Sequence, residues 1–392
     1  MARILIGWEL GANRGHIVRI APVAAKLRSL GHDVAFALQQ VDSLGLARDT
    51  SIPVFQAPLW PRLLASAAMP VRGDVSTLID ILCRLGLDKP GTLAAVMSGW
   101  DALFSAWRPD IVVGDFAPAL MCAAHGRTVS ISAGTGFVQP PSHLDEMPRL
   151  AGEPGFDESI VLDTIDADLR SIGRQPLRAL PALFAADHHF VETFAEVDPY
   201  DAFRVSALCA PGIAPGVFEA SGSGDEIFVY GFVATMGRSP LWESLRKTGK
   251  RVRIYVPDST PEFTAELRRV GFIVEANPVS WHDIARRSRL VVSHGGHGFL
   301  CSALLAGLPQ MVTYYDLEKQ LHAGALATAG LGHSVQLYHI DADSFAAAIL
   351  AAYDDDALAE RVRAVAPTFA VRMKSGLADR LLAVASGNTQ SA

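Results

Sequence analysis

The hydrophobic positions near the start of the chain predict strands that alternate with helices. Within Ile17–Leu30, apolar residues recur at positions 17, 20, 21, 24, 27 and 30, which is the spacing of one helix face. Pro22 must kink this helix or lie near its start, and Gly31 is expected to end it. Short β-rich runs predict strands at Arg3–Trp8, Asp33–Leu38, Asp110–Gly114 and Thr128–Ser132.

The same alternation restarts after a stretch that is rich in turn residues. Ser206–Asp225 contains two Pro-Gly pairs and a Gly-Ser-Gly, which are typical of a linker. Beyond it, strands are predicted at Glu226–Tyr230, Arg251–Val256, Arg289–Ser293 and Gln310–Tyr314. Repeated strand–helix order implies parallel sheets with helices on both faces. We therefore predict an α/β protein with two doubly wound, Rossmann-like domains that face each other across a cleft.

The domain bounds follow from these breaks. We place an N-terminal domain at 1–210, a linker at 211–225, a C-terminal domain at 226–368 and a C-terminal segment at 369–392. Phe369–Ala385 has the spacing of one amphipathic helix, which can pack back on the N-terminal domain. The weakly charged region 59–91 is either a helical insertion near a substrate entrance or a set of ordinary packed helices.

Composition narrows the possible partners. The chain has 392 residues, half of them hydrophobic, and a net charge of −7, which argues against nucleic-acid binding through a basic surface. None of the four cysteines forms a CxxC pair, so we expect reduced thiols and a cytoplasmic protein. No signal peptide is apparent, and no window approaches the ~18 uninterrupted apolar residues of a membrane span.

The loop that follows the first predicted strand reads ELGANRGH. Gly11 and Gly15 permit a positive φ or a close backbone approach, and Asn13 and His16 lie at the strand edge where open α/β sheets bind ligands. A dinucleotide fingerprint would need glycine at positions 13 and 16, so a nicotinamide-binding domain is weakly supported. A lone histidine at a helix start can also be a simple cap.

A second loop, in VVSHGGHGFL, joins a strand to a helix. The amides of Gly296, His297 and Gly298 would point out of the helix N-terminus, where aligned peptide dipoles favour an anion. A diphosphate is the expected ligand, and a bare glycine turn is the alternative. His294 and His297 lack a neighbouring cysteine or carboxylate, so no metal site is predicted.

Three segments together resemble the GT-B glycosyltransferases that use nucleotide sugars to glycosylate small molecules. GHIVRIAPVAAKLRSLGHDV resembles the family pattern GHxxPxxxLAxxLxxxGHxV, with Arg19 where the family has proline. RPDIVVGDFAPA resembles PDxVVxDxxxxxA, and HGGHGFLCSALLAGLPQ resembles HGGxGTxxEALxxGxPQ. The resemblance implies that the N-terminal domain binds the acceptor and the C-terminal domain binds the nucleotide sugar, UDP- or dTDP-activated.

The resemblance also implies catalytic roles. His16 matches the family's general base, which takes the proton of the acceptor hydroxyl, and Asp115 matches the acid that orients it. The reaction would be a single displacement with inversion, without a metal or other cofactor. The departing diphosphate would be bound by the turn whose matched residues are His294, Gly295, Gly296, His297 and Gly298.

Several residues depart from the family pattern around the donor. Phe299 replaces a threonine or serine that would bond a phosphate, and Ser302 replaces a glutamate that holds both ribose hydroxyls. Ser302 therefore leaves room for dTDP, whose deoxyribose lacks one hydroxyl. Lys319 stands where the family has a sugar-binding aspartate. The remaining sugar-site candidates are Gln320, Asp316 and Glu318.

The other predicted contacts are to the nucleobase and to the acceptor. The segment NPVSWHD resembles the loop that pairs with the base, so Val279 and Trp281 are base candidates, with core packing as the alternative for Trp281. The candidates for the acceptor cleft are Asn13, Gly15, Thr135 and Tyr230.

The leading hypothesis is an inverting glycosyltransferase that acts on a small apolar acceptor. One alternative is a sugar-nucleotide epimerase on the same two-domain plan, which would need acid and base carboxylates around the sugar. Another is a catalytically silent nucleotide-sugar-binding protein, suggested by Phe299, Ser302 and Lys319. A membrane acceptor is less favoured, because the 59–91 region has no face rich in lysine or arginine.

Overall fold

The computed structural model describes residues 1–11, 15–42, 51–63, 75–213, 220, 222–374 and 376–387. The chain divides into two compact units. Unit 1 comprises Met1–Thr193, Tyr200–Gly212 and Ser375–Ala392, and unit 2 comprises Phe194–Pro199 and Ile213–Lys374. The predicted linker falls at this division, and its residues 214–219 and 221 lie outside the described part of the chain.

Unit 1 is built on a parallel sheet with the strand order β3-β2-β1-β4-β5-β6-β7. Its strands are β1 Arg3–Trp8, β2 Asp33–Leu38, β3 Val54–Gln56, β4 Ile111–Asp115, β5 Val129–Gly134, β6 His188–Glu192 and β7 Leu208–Cys209. Its first helices are α1 Gly15–Ser29, α2 Leu78–Arg84, α3 Thr92–Trp107, α4 Pro118–Ala124 and α5 Glu158–Ser171. Shorter 3-10 turns span Gly136–Val138, Leu180–Phe184 and Asp201–Phe203.

Unit 2 repeats the plan with a parallel sheet in the order β10-β9-β8-β11-β12-β13. The strands are β8 Glu226–Tyr230, β9 Arg251–Tyr255, β10 Ile273–Val274, β11 Ser288–Ser293, β12 Gln310–Tyr314 and β13 Gly332–Gln336. The helices are α6 Val233–Met236, α7 Leu241–Lys247, α8 Pro261–Arg269, α9 Trp281–Arg287, α10 His297–Ala306, α11 Leu317–Thr328, α12 Ala342–Tyr353 and α13 Asp356–Val371, with a 3-10 turn at Ala195–Val197.

The two parallel sheets confirm the predicted α/β class. Four predicted strands have the predicted bounds, and four differ by one or two residues at an end. The stripe on α1 buries Ile17, Ile20 and Leu27 against the sheet of unit 1. Pro22 lies inside this helix, and Gly31 follows its end with a φ of +88°, which glycine adopts without strain.

The single helix predicted at Phe369–Ala385 is wrong. Helix α13 ends at Val371, and a separate helix, α14, spans Leu377–Ala385 after Gly376. The hydrophobic spacing continues through the break, but the first helix ends at Val371 and Gly376 is the N-cap of a new one. Leu377, Leu381 and Val384 of α14 join the core of unit 1 that contains Ile17 and Ile20.

The region 59–91 is only partly described, since residues 64–74 lie outside the described chain. From Ser76 onward it forms ordinary packed structure: Thr77 and Asp80 make a reciprocal capping box at the start of α2. Within the described residues, none of the helices combines the length and the apolar character that crossing a membrane requires.

Candidate functional site

His16 and Asp115, which the sequence pairs only through the resemblance, lie in direct contact. His16 occupies the first turn of α1, just after β1, and Asp115 ends the neighbouring strand β4, opposite Trp8. The Nδ1 atom of His16 is 3.0 Å from Oδ2 of Asp115. Parallel strands β1 and β4 end at the same sheet edge, so the fold itself brings the two side chains together.

The imidazole of His16 is held on two further sides. Its ring stacks on the indole of Trp8, with centroids 5.0 Å apart and planes 18° apart. Gly11 approaches the Nε2 edge, because a Cβ at that position would lie 2.4 Å from Nε2. Gly11 also has a φ of +93°, so glycine is required there twice over. His16 thus has one nitrogen directed to Asp115, and Gly11 presents no side chain to the other nitrogen.

A buried arginine, Arg19, lies behind Asp115. Its Nη2 atom is 2.6 Å from the same Asp115 Oδ2 that faces His16, and its Nη1 atom pairs with Glu192 at the end of β6. Burial alone would raise the pKa of Asp115, but the charges of Arg19 and His16 outweigh it and lower that pKa to about 2. Asp115 is therefore a carboxylate at any working pH.

A second buried carboxylate, Glu9, fixes the start of the same loop. The indole nitrogens of Trp60 and Trp100 donate to it at 2.7 and 3.0 Å. The amides of Ala119 and Leu120 in the first turn of α4 donate at 3.2 and 2.9 Å. Burial raises the pKa of Glu9 to about 7, against the lowering effect of these four donors. Because all four partners are donors, we assign Glu9 a structural role.

The glycine turn of unit 2 has the form expected of an anion site. It joins β11 to α10, and Gly295 has a φ of +80° with its amide donating to Oγ of Ser293 at 3.2 Å. Gly296 is the N-cap of α10, where no side chain makes a capping hydrogen bond. The first turn of α10 therefore offers backbone amides and the positive end of a helix dipole.

The histidines at this turn are buried. Burial, assisted by the charge of Lys319, lowers the pKa of His294 to about 4. The pKa of His322 is also lowered, first by burial, and its Nδ1 lies 3.1 Å from the carbonyl oxygen of Gly295. His297 is 7% exposed, and its Nε2 lies 3.5 Å from Sγ of Cys301. Any contact of His294 with a phosphate would be a neutral hydrogen bond.

Phe299, which replaces the family's phosphate-binding hydroxyl, lies in an aromatic cluster. It stacks on Tyr230 at 4.9 Å between centroids and contacts Trp281 at the same centroid distance. Trp281 is the first residue of α9 and packs with the partly buried Val279 against the neighbouring apolar core. The packing alternative for Trp281 is thus observed, while its role toward a base stays a prediction. Tyr230 also contacts His294, 5.5 Å between centroids.

The predicted ribose and sugar residues lie on two helices. Ser302 is 8% exposed and donates to the carbonyl oxygen of Gly298 at 2.8 Å, within α10. Gln320 is exposed on α11, where it lines a shallow cavity of about 420 Å³ together with Tyr314 and Ser334. The hydroxyl proton of Ser302 is committed to the helix, so only its lone pairs are open to a further partner.

Lys319 interacts with both predicted carboxylates. Asp316 caps α11 by accepting from the amide of Lys319 at 2.9 Å, and its Oδ2 is 3.6 Å from the ammonium of Lys319. Glu318 pairs with the same ammonium, which lowers the pKa of Glu318 although burial alone would raise it. The side chain of Lys319 also lies beside Gly295, where a Cβ would come within 3.4 Å of it.

The remaining acceptor candidates are less defined. Asn13 lies outside the described residues. Gly15 begins α1, and no atom of the described residues lies within 4 Å of the point where a Cβ would lie, so none of them requires glycine there. Thr135 precedes the 3-10 turn after β5 and is half-buried. Tyr230 belongs to unit 2, beside the glycine turn, and not to the unit that contains Thr135 and His16.

The sequence motifs do not identify the charged residues that surround His16 and Asp115. In the sequence, Arg19 stands out only as a departure from the proline of the family pattern, and the motifs assign no role to Glu192 or Glu9. One signal was available: both glutamates directly follow or end a short hydrophobic run, where a buried strand brings a carboxylate to the functional edge of the sheet.

Comparisons with known proteins agree with this fold. No family model matches the chain. Erythronolide mycarosyltransferase from Saccharopolyspora erythraea is 23% identical over 89% of this chain and 91% of its own length. The spinosyn rhamnosyltransferase SpnG, in complex with spinosyn aglycone, matches 98% of this chain and all of its own with a TM-score of 0.67 and 17% identity. The glycosyltransferase VinC, in complex with dTDP, matches the whole of both chains with a TM-score of 0.65 and 13% identity.

The matched structures cover nearly the whole chain, so the chain has the GT-B fold of these glycosyltransferases. The motif resemblance and the sequence match to the mycarosyltransferase both indicate that the chain is a glycosyltransferase.

Proposed function

We propose that the protein is an inverting glycosyltransferase that transfers a sugar from a dTDP-sugar to a hydroxyl of a small apolar natural product. His16 is the general base. The observation that carries this proposal is the contact between His16 Nδ1 and Asp115 Oδ2 at 3.0 Å. Gly11, beside the same ring, presents no side chain to Nε2.

The chemistry of unit 1 follows from the two ring nitrogens. With Nδ1 protonated and donating to Asp115, Nε2 carries the lone pair that accepts the proton of the acceptor hydroxyl. The acceptor oxygen attacks the anomeric carbon as the bond to the diphosphate breaks, so the configuration inverts. Asp115 then stabilises the imidazolium that forms.

Unit 2 would stabilise the negative charge that develops on the departing diphosphate. The uncapped amides at the start of α10 and the helix dipole supply this without a metal ion. Phe299 offers no hydroxyl, so more of the contact falls to backbone amides. His294 contributes a neutral hydrogen bond, because burial lowers its pKa to about 4.

Two observations favour dTDP as the donor nucleotide. Ser302 stands at the position of the family's ribose-binding glutamate, and its hydroxyl proton already bonds Gly298. The serine oxygen can accept from one sugar hydroxyl where the glutamate carboxylate accepts from two, so a ribose would gain little over a 2′-deoxyribose. The matched structure of VinC is a complex with dTDP, and that of SpnG is a complex with spinosyn aglycone. These neighbours support a thymidine nucleotide and an apolar polyketide-like acceptor.

The first experiment compares nucleotides by thermal shift. A ligand that binds the native state raises the melting temperature, and we expect dTDP to raise it more than UDP at equal concentration. Transfer is then measured with a panel of dTDP-sugars and polyketide or phenolic acceptors, for the wild type and for His16→Ala. We expect His16→Ala to keep the nucleotide-induced shift and to lose about 10²–10⁴-fold in kcat.

The outcomes separate the alternatives. Full transfer by His16→Ala would refute the assignment of the base. Epimerised nucleotide sugar in the absence of acceptor would identify an epimerase instead. Nucleotide binding without transfer or slow hydrolysis across the panel would identify a catalytically silent binding protein.

A further inference from the structure

Three buried charges form a chain behind His16. Arg19 lies on the same helix, three residues after His16, and approaches the Asp115 oxygen that His16 contacts. Its other terminal nitrogen pairs with Glu192. The side chains of Arg19, Asp115 and Glu192 are 8%, 1% and 2% exposed. Oδ2 of Asp115 is thus shared between the imidazole and a permanent cation.

We propose that Arg19 and Glu192 are a positioning pair that sets, through Asp115, how strongly His16 holds a proton. This inference rests on the proposed function of His16 as the base. A guanidinium at 2.6 Å from Oδ2 withdraws negative charge from the atom that stabilises the imidazolium. Glu192 opposes this effect by neutralising Arg19 from its other side. The pair therefore adjusts the base without touching substrate.

The surrounding groups are few among the described residues. α1 contributes His16 and Arg19, β4 contributes Asp115, and β6 contributes Glu192. On β7, burial raises the pKa of Cys209 to about 11, so it is neutral, and the charge of Arg380 from α14 acts on it. Burial raises the pKa of Glu192, which the charge of Arg19 opposes. Asp115, Arg19 and Glu192 therefore alternate in charge behind His16.

The local backbone is shaped to hold the pair. A Cβ at Gly212 would lie 2.6 Å from both Cγ of Arg19 and Oε1 of Glu192, so only glycine lets these side chains occupy their site. Arg19 also stands where the family pattern has proline, a residue that could not reach Asp115. The side chains of Arg19 and Glu192 therefore pack together against the backbone of Gly212.

The test uses two variants whose effects have opposite signs. Glu192→Gln leaves Arg19 paired with Asp115 alone, so the cation withdraws more charge and the acid limb of kcat/KM should move to lower pH. Arg19→Met/Glu192→Gln removes both charges together, so Asp115 acts on His16 alone and the limb should move to higher pH. We expect shifts of about 0.5–1 pH unit in each direction, a three- to tenfold change in proton affinity.

Arg174→Met is the matched control. It removes an ion pair with Asp101 in the same unit, 3.1 Å long, and should leave the acid limb in place. A second measurement does not depend on transfer: the titration of His16 by NMR in protein with ¹³C-labelled histidine, with the signal assigned by its loss in His16→Ala. We expect the same two opposite shifts in that titration.

The results distinguish the two proposals. If neither variant moves the His16 titration while the melting temperature falls, the pair is structural and the inference is wrong. If the titration moves in both directions but His16→Ala transfers sugar at the wild-type rate, the pair tunes His16 and the proposed function is what fails. Equal shifts of both variants in one direction would also overturn the inference.

Discussion

The turn after β1 and the turn after β11 both follow a central strand of a parallel sheet, but they use different chemistry. Around the first, side-chain charges dominate: Asp115 and Arg19 are buried within reach of one imidazole. Around the second, backbone amides and rings dominate, with Gly296 as an uncapped N-cap and Phe299 in an aromatic stack. The first turn is suited to moving a proton, and the second to holding an anion by dipoles.

This difference extends to the surroundings of the histidines. His16 keeps 18% of its side chain exposed and has a carboxylate partner in Asp115. Burial lowers the pKa of His294 to about 4, and no carboxylate is bonded to it among the described contacts. The same residue type therefore has separate uses in the two units. If the comparison is correct, changes at the first turn should affect turnover and changes at the second should affect donor binding.

The largest expected effect is that of Asp115→Asn. The amide keeps the size of the side chain, but it cannot stabilise an imidazolium and it can hold His16 in the wrong tautomer. We expect kcat to fall about 10²–10⁴-fold, measured by transfer to a fixed acceptor, with the thermal shift given by dTDP unchanged.

The Asp115→Asn substitution needs a control, because it also removes the ion-pair partner of Arg19. Asp187→Asn changes an exposed carboxylate of the same unit that accepts from the amide and hydroxyl of Ser130 at 2.8 and 2.9 Å. It should change stability without a comparable loss of kcat. Equal losses of turnover in the two variants would contradict a specific role for Asp115.

How much of this site the sequence predicts depends on the kind of residue. His16 and Asp115 were identified because they fall in motifs, and the sheet edge then brings them together. Glu192 could not be paired with Arg19, since the two are 173 positions apart and no local pattern indicates which buried carboxylate meets which cation. Long-range charge pairs are set by packing, whereas strands such as Glu226–Tyr230 are set by local hydrophobicity.

The break between α13 and α14 teaches the same lesson from the opposite direction. The hydrophobic period alone predicts one helix, whereas the glycine in MKSGL indicates a break. A period of 3.6 residues can continue across a break, whereas a glycine just before a new helix marks its start. Short edge strands, such as Leu208–Cys209, carry too few residues to form a recognisable pattern.

The second prediction compares two glycines of the first turn. Gly11→Ala would place a Cβ 2.4 Å from Nε2 of His16 at a φ of +93°, so the ring must leave its contact with Asp115. Gly15→Ala, at the exposed start of α1, meets no atom within 4 Å in the part of the chain that the structure describes. We expect Gly11→Ala to lower kcat by about 10²-fold, the loss of one general base, and Gly15→Ala to stay near the wild type. Equal activity of the two alanine variants would show that Nε2 is not the reacting atom.

The smallest expected effect concerns two glycines of the second turn, and it is measured as donor affinity. Gly295→Ala adds a Cβ 2.7 Å from Val312 at a φ of +80°, so the turn must shift and the direction of its N–H groups must change. Among the described residues, the Cβ of Gly298→Ala meets Ile213 alone, at 3.8 Å, an ordinary contact. By calorimetry, we expect Gly295→Ala to weaken dTDP about tenfold, equivalent to about 1.4 kcal/mol.

Gly298→Ala then reports on the ligand and not on the protein. Its own fold has room for the methyl group, so unchanged melting temperature together with weaker dTDP binding would place the nucleotide against the first turn of α10. If both variants bind dTDP like the wild type, the anion does not use these amides, and the contrast between a proton-handling turn and an anion-holding turn is wrong.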